Sequence, residues 1–310
     1  QSSPVLSPDG ATVFVGSSDK TLYAVTSLGM KAWSFETGGA LVSAPVVSAD
    51  GNILYVGSTD NRLYAIDAGT GTKKWDFVTD GAVVSSPSIS PDGRLVILGS
   101  QDYKVYGLYT GTGGQGSLAA GSKAWSFATG SCVESTPTFS SSGNTVFVGS
   151  RDGKVYAADA QTGSKKWDFA AGGAVRSSPT MSHDGSTVYV GSSDGKLYAM
   201  DAVTGTKRWE YATGGAVNSA PTVSPDGTTV YVGSSDGTMY AVAGGTGNTK
   251  WAFSTGGAIV SSPAVSADGG TTFVGSQDGS LYVVASRPST SSQLVGGLLY
   301  FGRTSKLLVT

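Results

Sequence analysis

Few residues in this chain could carry chemistry, and that scarcity narrows the function before any fold is considered. The 310 residues include one histidine, His183, one cysteine, Cys132, and three glutamates, Glu36, Glu134 and Glu210. A Ser-His-Asp or Cys-His arrangement would have to run through His183, because no other imidazole can take the proton. His183 stands before Asp-Gly where Pro8, Ala49, Pro91, Pro225 and Ala267 stand in parallel segments, so it reads as a solvent-facing turn residue. One Cys and one His build neither a disulfide nor a zinc site. Cys132 replaces the alanine of G-G-A-V (Ala40, Ala82, Ala174, Ala216, Ala258) and reads as a small buried hydrophobe. The glycines of S-D-G and T-G are turn glycines, and none opens a helix after a strand, so no phosphate loop is readable. No catalytic residue, cofactor or metal site is assigned.

The carboxylates fall into sets. Asp19, Asp60, Asp102, Asp152, Asp194, Asp236 and Asp278 each follow G-S-x, and each is expected to satisfy its own hairpin rather than bind a cation. Asp9, Asp50, Asp92, Asp184, Asp226 and Asp268 precede turn glycines. Only positions that vary between otherwise identical segments are free to carry specificity. The residue before S-S-P or its equivalent reads Gln1, Val42, Val84, Glu134, Arg176, Asn218 and Val260. The third residue of G-S-x-D reads Ser18, Thr59, Gln101, Arg151, Ser193, Ser235 and Gln277, and Tyr103 replaces a turn glycine two residues after Gln101. Glu134, Arg176 and Asn218, with Gln101, Arg151 and Tyr103, make a candidate polar recognition patch. An ion pair between Glu134 and Arg176 that merely stabilises neighbouring segments is the competing reading.

The elements that must position these residues are one unit written seven times. The G-S-x-D aspartates are spaced 41, 42, 50, 42, 42 and 42 residues apart, with a tyrosine four residues after each. Six tryptophans recur at Trp33, Trp75, Trp125, Trp167, Trp209 and Trp251; the seventh unit lacks its own near Gln293. Short β-branched and aromatic runs such as T-V-Y-V-G-S and K-L-Y-A-M are bounded by Asp-Gly and Thr-Gly turns. Four short strands per unit, repeated seven times, predict an all-β, seven-bladed β-propeller of four-stranded antiparallel blades. Units start near 1, 42, 84, 134, 176, 218 and 260, and residues 1–310 are expected to form a single domain. Strand A is expected over S-S-P-T-V-S, strand B over T-V-Y-V-G-S, strand C over K-L-Y-A-M-D and strand D over K-R-W-E-Y-A. The lysines that open strand D guard an outer edge. A Gly-rich insertion at Thr112–Ala120 lengthens unit 3, and the atypical stretch 287–310 is expected to supply the missing outer strand of blade 7. Within the propeller, the varying residues should meet at the mouth of the central channel.

Composition agrees. Glycine supplies 46 residues, charged residues only 14% against a usual share of about 25%, and net charge is -2. A nucleic-acid binder would need a basic stripe, and no apolar run reaches the ~20 residues of a membrane span. The chain opens at Gln1 without a leader, which reads as a mature or trimmed product. Low charge and abundant small polar residues point to a secreted, extracellular or periplasmic protein.

The string A-I-D-A-G-T-G-T-K-K-W at 65–75, with close counterparts at 157–167 and 199–209, resembles the tryptophan-docking repeat of quinoprotein alcohol dehydrogenases. V-Y-V-G-S-S-D-G-K-L-Y-A resembles the PQQ-like repeat more broadly, a group that includes the periplasmic scaffold lipoprotein of outer-membrane assembly. The resemblance covers residues 1–286 and implies the blade architecture, with the six tryptophans as docking residues. Asp67, Asp159 and Asp201 match its docking aspartate, while Thr26, Tyr109, Ala243 and Ala285 depart from it. The enzymes' vicinal disulfide has no counterpart beside Cys132, and three glutamates leave little for a calcium-quinone site. The expectation is a non-enzymatic binding or scaffold propeller that recognises a protein or glycan at the channel mouth. A quinoprotein-like oxidoreductase using PQQ, and a structural, self-associating extracellular protein, are the alternatives.

Overall fold

A computed structural model describes residues 2–111 and 119–285, and 304–308 as a strand. The core of the Gly-rich insertion, 112–118, and the stretch 286–303 lie outside the described residues. All seven units fold as four-stranded antiparallel sheets with strands in chain order. The fold is a seven-bladed β-propeller. In blade 5 the strands are Thr180–Met181, Thr187–Gly191, Lys196–Asp201 and Lys207–Ala212, named A to D from here on. Strand B is buried throughout and strand D alternates toward solvent. A strand covered on both faces must be apolar on both, which is why V-Y-V runs without alternation. In blade 7, Thr304–Leu308 pairs with strand C from Ser280↔Leu308 to Val284↔Thr304. Contacts group the chain into two units, Gln1–Asp168 and Phe169–Thr310. The first holds blades 1 to 3 and most of blade 4; the second holds blades 5 to 7.

Strand A is shorter than the sequence suggests, two residues in every blade. The reason lies in the first serine of S-S-P. Ser135 Oγ accepts from Gly149 N at 2.8 Å and donates to Gly149 O at 2.9 Å, and Ser219 treats Gly233 alike. A side chain thus satisfies the strand B backbone where a ladder would otherwise run.

Three devices join consecutive blades. The first is the indole. Trp33, Trp125 and Trp209 donate Nε1–H to Ala68, Ala160 and Gly244 carbonyls at 3.0, 2.9 and 2.9 Å. Each covers the Thr-Gly turn of the next blade so closely that a Cβ on Gly71, Gly163 or Gly247 would lie within 2.9 Å of the ring. The second is a carboxylate latch. Asp60 Oδ2 accepts from Tyr64 Oη at 2.7 Å and from Gly38 N, in the preceding blade's D–A loop, at 2.8 Å. Asp102, Asp152, Asp194, Asp236 and Asp278 repeat this, so the G-S-x-D aspartate serves two blades rather than its own hairpin alone. The third is the glycine of V-G-S: a Cβ on Gly99 would sit 2.3 Å from Val133 Cγ1, and one on Gly233 2.1 Å from Ile259 Cγ2.

These bonds set the pH limits of the fold. Burial, then the bond to Asp60, pushes Tyr64 up to about 12, and burial pushes Tyr55 to about 12. The native state keeps protons that an unfolded chain releases near pH ~10. The stability they contribute is therefore complete below pH ~10 and lost as pH climbs toward 12. On the acid side, the bond from Tyr282 holds Asp278 at about 2, and bonds from Ser182 and Ser224 hold Asp184 and Asp226 at about 2. Their contribution is complete above pH ~4 and lost as pH falls toward 2. Urea midpoints across pH 2–12 should be flat between these limits and fall at both ends, with Tyr64 and Tyr55 ionising together with unfolding at the alkaline end. Tyr64 losing its proton near pH 10 in the folded protein, read from its own ring resonances, would contradict the latch.

Candidate functional site

Each varying residue before S-S-P sits between two buried neighbours. Val133 and Ser135 flank Glu134, Val175 and Ser177 flank Arg176, and Val217 and Ser219 flank Asn218, all of the flanking residues at most 1% exposed. Alternation therefore turns the middle residue outward, while the serine bond to V-G-S pins the backbone beside it. Position is fixed by the core, and identity is free.

In residues 1–168 the fold brings three of the expected site residues together. Glu134 Oε1 accepts from Gln101 Nε2 at 3.2 Å and from Arg151 Nη1 at 3.3 Å. Gln101 and Arg151 lie in the B–C loops of blades 3 and 4, held by their backbone N–H bonds to Ala82 O and Cys132 O at 2.9 Å each. The Glu134 and Arg151 side chains remain 23% and 39% exposed, so the pair is a surface one whose contribution to stability is about 0–1 kcal/mol. Tyr103 is half-exposed and adopts φ 71°, where four of the other blades place glycine. Its carbonyl accepts from Thr129 N and Oγ1 at 2.7 and 2.9 Å. A half-exposed aromatic residue held in the left-handed region carries backbone strain that glycine would not. In residues 169–310, Asn218 Oδ1 accepts from Ser193 Oγ at 2.9 Å, and Arg176 is exposed.

One expectation, the burial of Cys132, looks different in the structure. Cys132 is only half-buried, its Sγ 3.6 Å from the Gln101 carbonyl, because Val133 takes the core position. Six of the strand D cations are paired: Lys73 with Asp76, Lys165 with Asp168, Lys207 with Glu210, and Lys74, Lys166 and Arg208 with the docking aspartates Asp67, Asp159 and Asp201. Those aspartates also cap their own Thr-Gly turns, Asp201 Oδ1 accepting from Val203 N, Thr204 N and Thr204 Oγ1. His183 lies in an A–B turn beside Gly227, at the end of the strands opposite the B–C loops. Among the described residues no group of three His, Cys, Asp or Glu is placed to hold a metal ion, and no helix is long and apolar enough to cross a membrane. The cluster brings together a carboxylate, an amide and a guanidinium.

Comparison with known proteins agrees with the blade pattern. Among solved structures, BamB from Moraxella catarrhalis superposes with a TM-score of 0.76 at 20% identity, covering 99% of this chain and 88% of that one. No curated protein matches the chain. A family model described as outer membrane protein assembly factor BamB matches residues 1–117, 116–185 and 181–306, nearly the whole sequence. The PQQ-like repeats of this propeller thus place the chain in the outer membrane protein assembly factor BamB family.

Proposed function

We propose that this propeller is a non-enzymatic scaffold of the cell envelope that recognises a protein partner through the D–A and B–C loops around Glu134. The supporting observation is the cluster itself: Gln101 and Arg151 donate to Glu134, and Tyr103, two residues after Gln101, stands half-exposed in the left-handed region. Loops fixed on a rigid sheet suit recognition, and aromatic and arginine side chains are the residue types that dominate interface energetics. Arg176 and Asn218, at the same repeat position, extend the set of recognition residues. Family membership favours a protein partner on the periplasmic side of the outer membrane, in the assembly of its proteins.

A photoreactive residue at position 103 tests this in intact cells. It should yield a protein adduct that disappears when Glu134 and Arg151 are both replaced by serine, with melting temperature unchanged. An adduct indifferent to both changes, a glycan adduct, or a bound quinone with visible absorbance would each overturn the reading. A tighter comparison uses Tyr103→Gly. It should raise stability by about 1 kcal/mol by removing backbone strain while weakening affinity for the captured partner about tenfold, read by equilibrium binding rather than by crosslinking.

A further inference from the structure

At the seam between blades 2 and 3 the repeat is broken where it is least tolerant. The residue that donates its N–H to the latch carboxylate reads Gly38, Gly130, Gly172, Gly214 and Gly256, but Asp80 at this seam. The place is cramped: a Cβ on any of those five glycines would lie 2.7–2.9 Å from the latch oxygen. Asp80 brings a Cβ and a second carboxylate there. Its N–H reaches Asp102 Oδ2 at 3.1 Å, the longest of the six latch bonds among the described residues. Crowding and like charge both oppose an aspartate at this position.

The new carboxylate is held loosely. In blades 2, 4 and 5 the cation that opens strand C pairs with an acid on strand D: Arg62 with Asp76, Lys154 with Asp168, and Lys196 with Glu210. Blade 3 has Ser126 in the acid's place. Lys104 turns instead to Asp80, Nζ to Oδ2 at 3.2 Å, and leaves the Asp80 side chain 82% exposed. A pair so open to water contributes little. Val78 closes strand D of blade 2 and is 54% exposed, where blades 1 and 3 to 6 end in Glu36, Ala128, Ala170, Ala212 and Ser254. Val78 and Asp80 flank the buried Thr79, so alternation turns both to the same outer side. Asp80 is bonded to Asp102 and Lys104, the two chain neighbours of the strained Tyr103. Departures from local rules concentrate at functional positions.

We infer that this seam takes an arginine side chain of the protein partner, its guanidinium displacing Lys104 from the Asp80 carboxylate and its stem covering Val78. A guanidinium meets a carboxylate in a two-bond fork that the Lys104 ammonium cannot form, and an arginine stem lies readily along apolar surface. The inference rests on the reading of these loops as a protein-recognition face and adds what the partner presents to it: an arginine flanked by apolar residues.

Titration of the full chain with acetyl-Leu-Arg-Leu-amide, followed through the backbone amide resonances, tests this without the partner. The amides of residues 78–81 and 102–104 should shift and saturate with a dissociation constant of roughly 1–10 mM, as contact with a single residue allows. Acetyl-Leu-Gln-Leu-amide should move none of them. Asp80→Asn should abolish the shift. Lys104→Gln removes the competing ammonium and should tighten binding about threefold, an effect that a merely structural ion pair does not predict. Absence of a localised shift in the wild type overturns the inference, as do equal shifts with the glutamine peptide or a Lys104→Gln variant that binds no tighter. Failure here leaves the Glu134 cluster standing, and loss of Glu134-dependent capture leaves the result of the titration unchanged.

Discussion

Asp194→Ala should lower stability by about 3–4 kcal/mol, several times what loss of a turn aspartate costs. Three donors converge on this carboxylate: Tyr198 Oη at 2.6 Å, Gly172 N at 2.8 Å and Lys196 N at 2.9 Å. Bonds to a charged acceptor contribute about 1.5–3 kcal/mol each, and removing the acceptor leaves all three donors to find water in a loop packed between blades. Tyr198→Phe removes one bond and should cost about 1.5 kcal/mol. Asp184→Ala opens an exposed turn held by Ser182 and Ser186 and should cost about 1 kcal/mol. Urea midpoints of the three variants decide the matter. Equal losses at Asp194 and Asp184 would reduce the latch to an ordinary turn.

That contrast marks what the sequence could and could not say. The spacing of aspartate, tyrosine and tryptophan is periodic, so it announced seven blades and the strands within them. The function of each aspartate was only half legible. A local rule explains Asp194 by the Lys196 N–H two residues on, but the Gly172 bond joins loops 22 residues apart. No local rule sees such a bond, although the constant 22-residue spacing from this loop to the aspartate, with Gly-Gly at 38–39, 172–173, 214–215 and 256–257, was its trace. Likewise the varying residues were legible as a set, because a strict repeat makes exceptions visible. The sharing of Glu134 between Gln101 and Arg151 was not, since it depends on side-chain reach. The shortening of strand A escaped for the same reason: Ser135 replaces a backbone ladder with its hydroxyl, and propensity does not encode that choice.

Gly99→Ala should cost about 3 kcal/mol and disturb the candidate site, whereas Gly275→Ala, at the same repeat position, should be neutral or gain about 0.5 kcal/mol. Both lie in extended strand, so conformational freedom is not what requires glycine. Space is. A methyl group on Gly99 would sit 2.3 Å from Val133 Cγ1 and 2.8 Å from the Val133 carbonyl, with backbone that cannot rotate away. On Gly275 it would meet, among the described residues, only Ser261, at 3.4 and 3.7 Å, ordinary contact distances. Because Val133 is the buried neighbour of Glu134, relieving the clash moves the loop that presents the carboxylate to Gln101 and Arg151. The Gly99 variant should therefore lose both stability and the adduct captured through position 103, while the Gly275 variant loses neither. Equal urea midpoints would place the loop in a softer setting than these distances describe. A destabilised Gly99 variant that still captured its partner would detach recognition from Glu134, and with it the argument that the core of each blade fixes the residue that meets the partner.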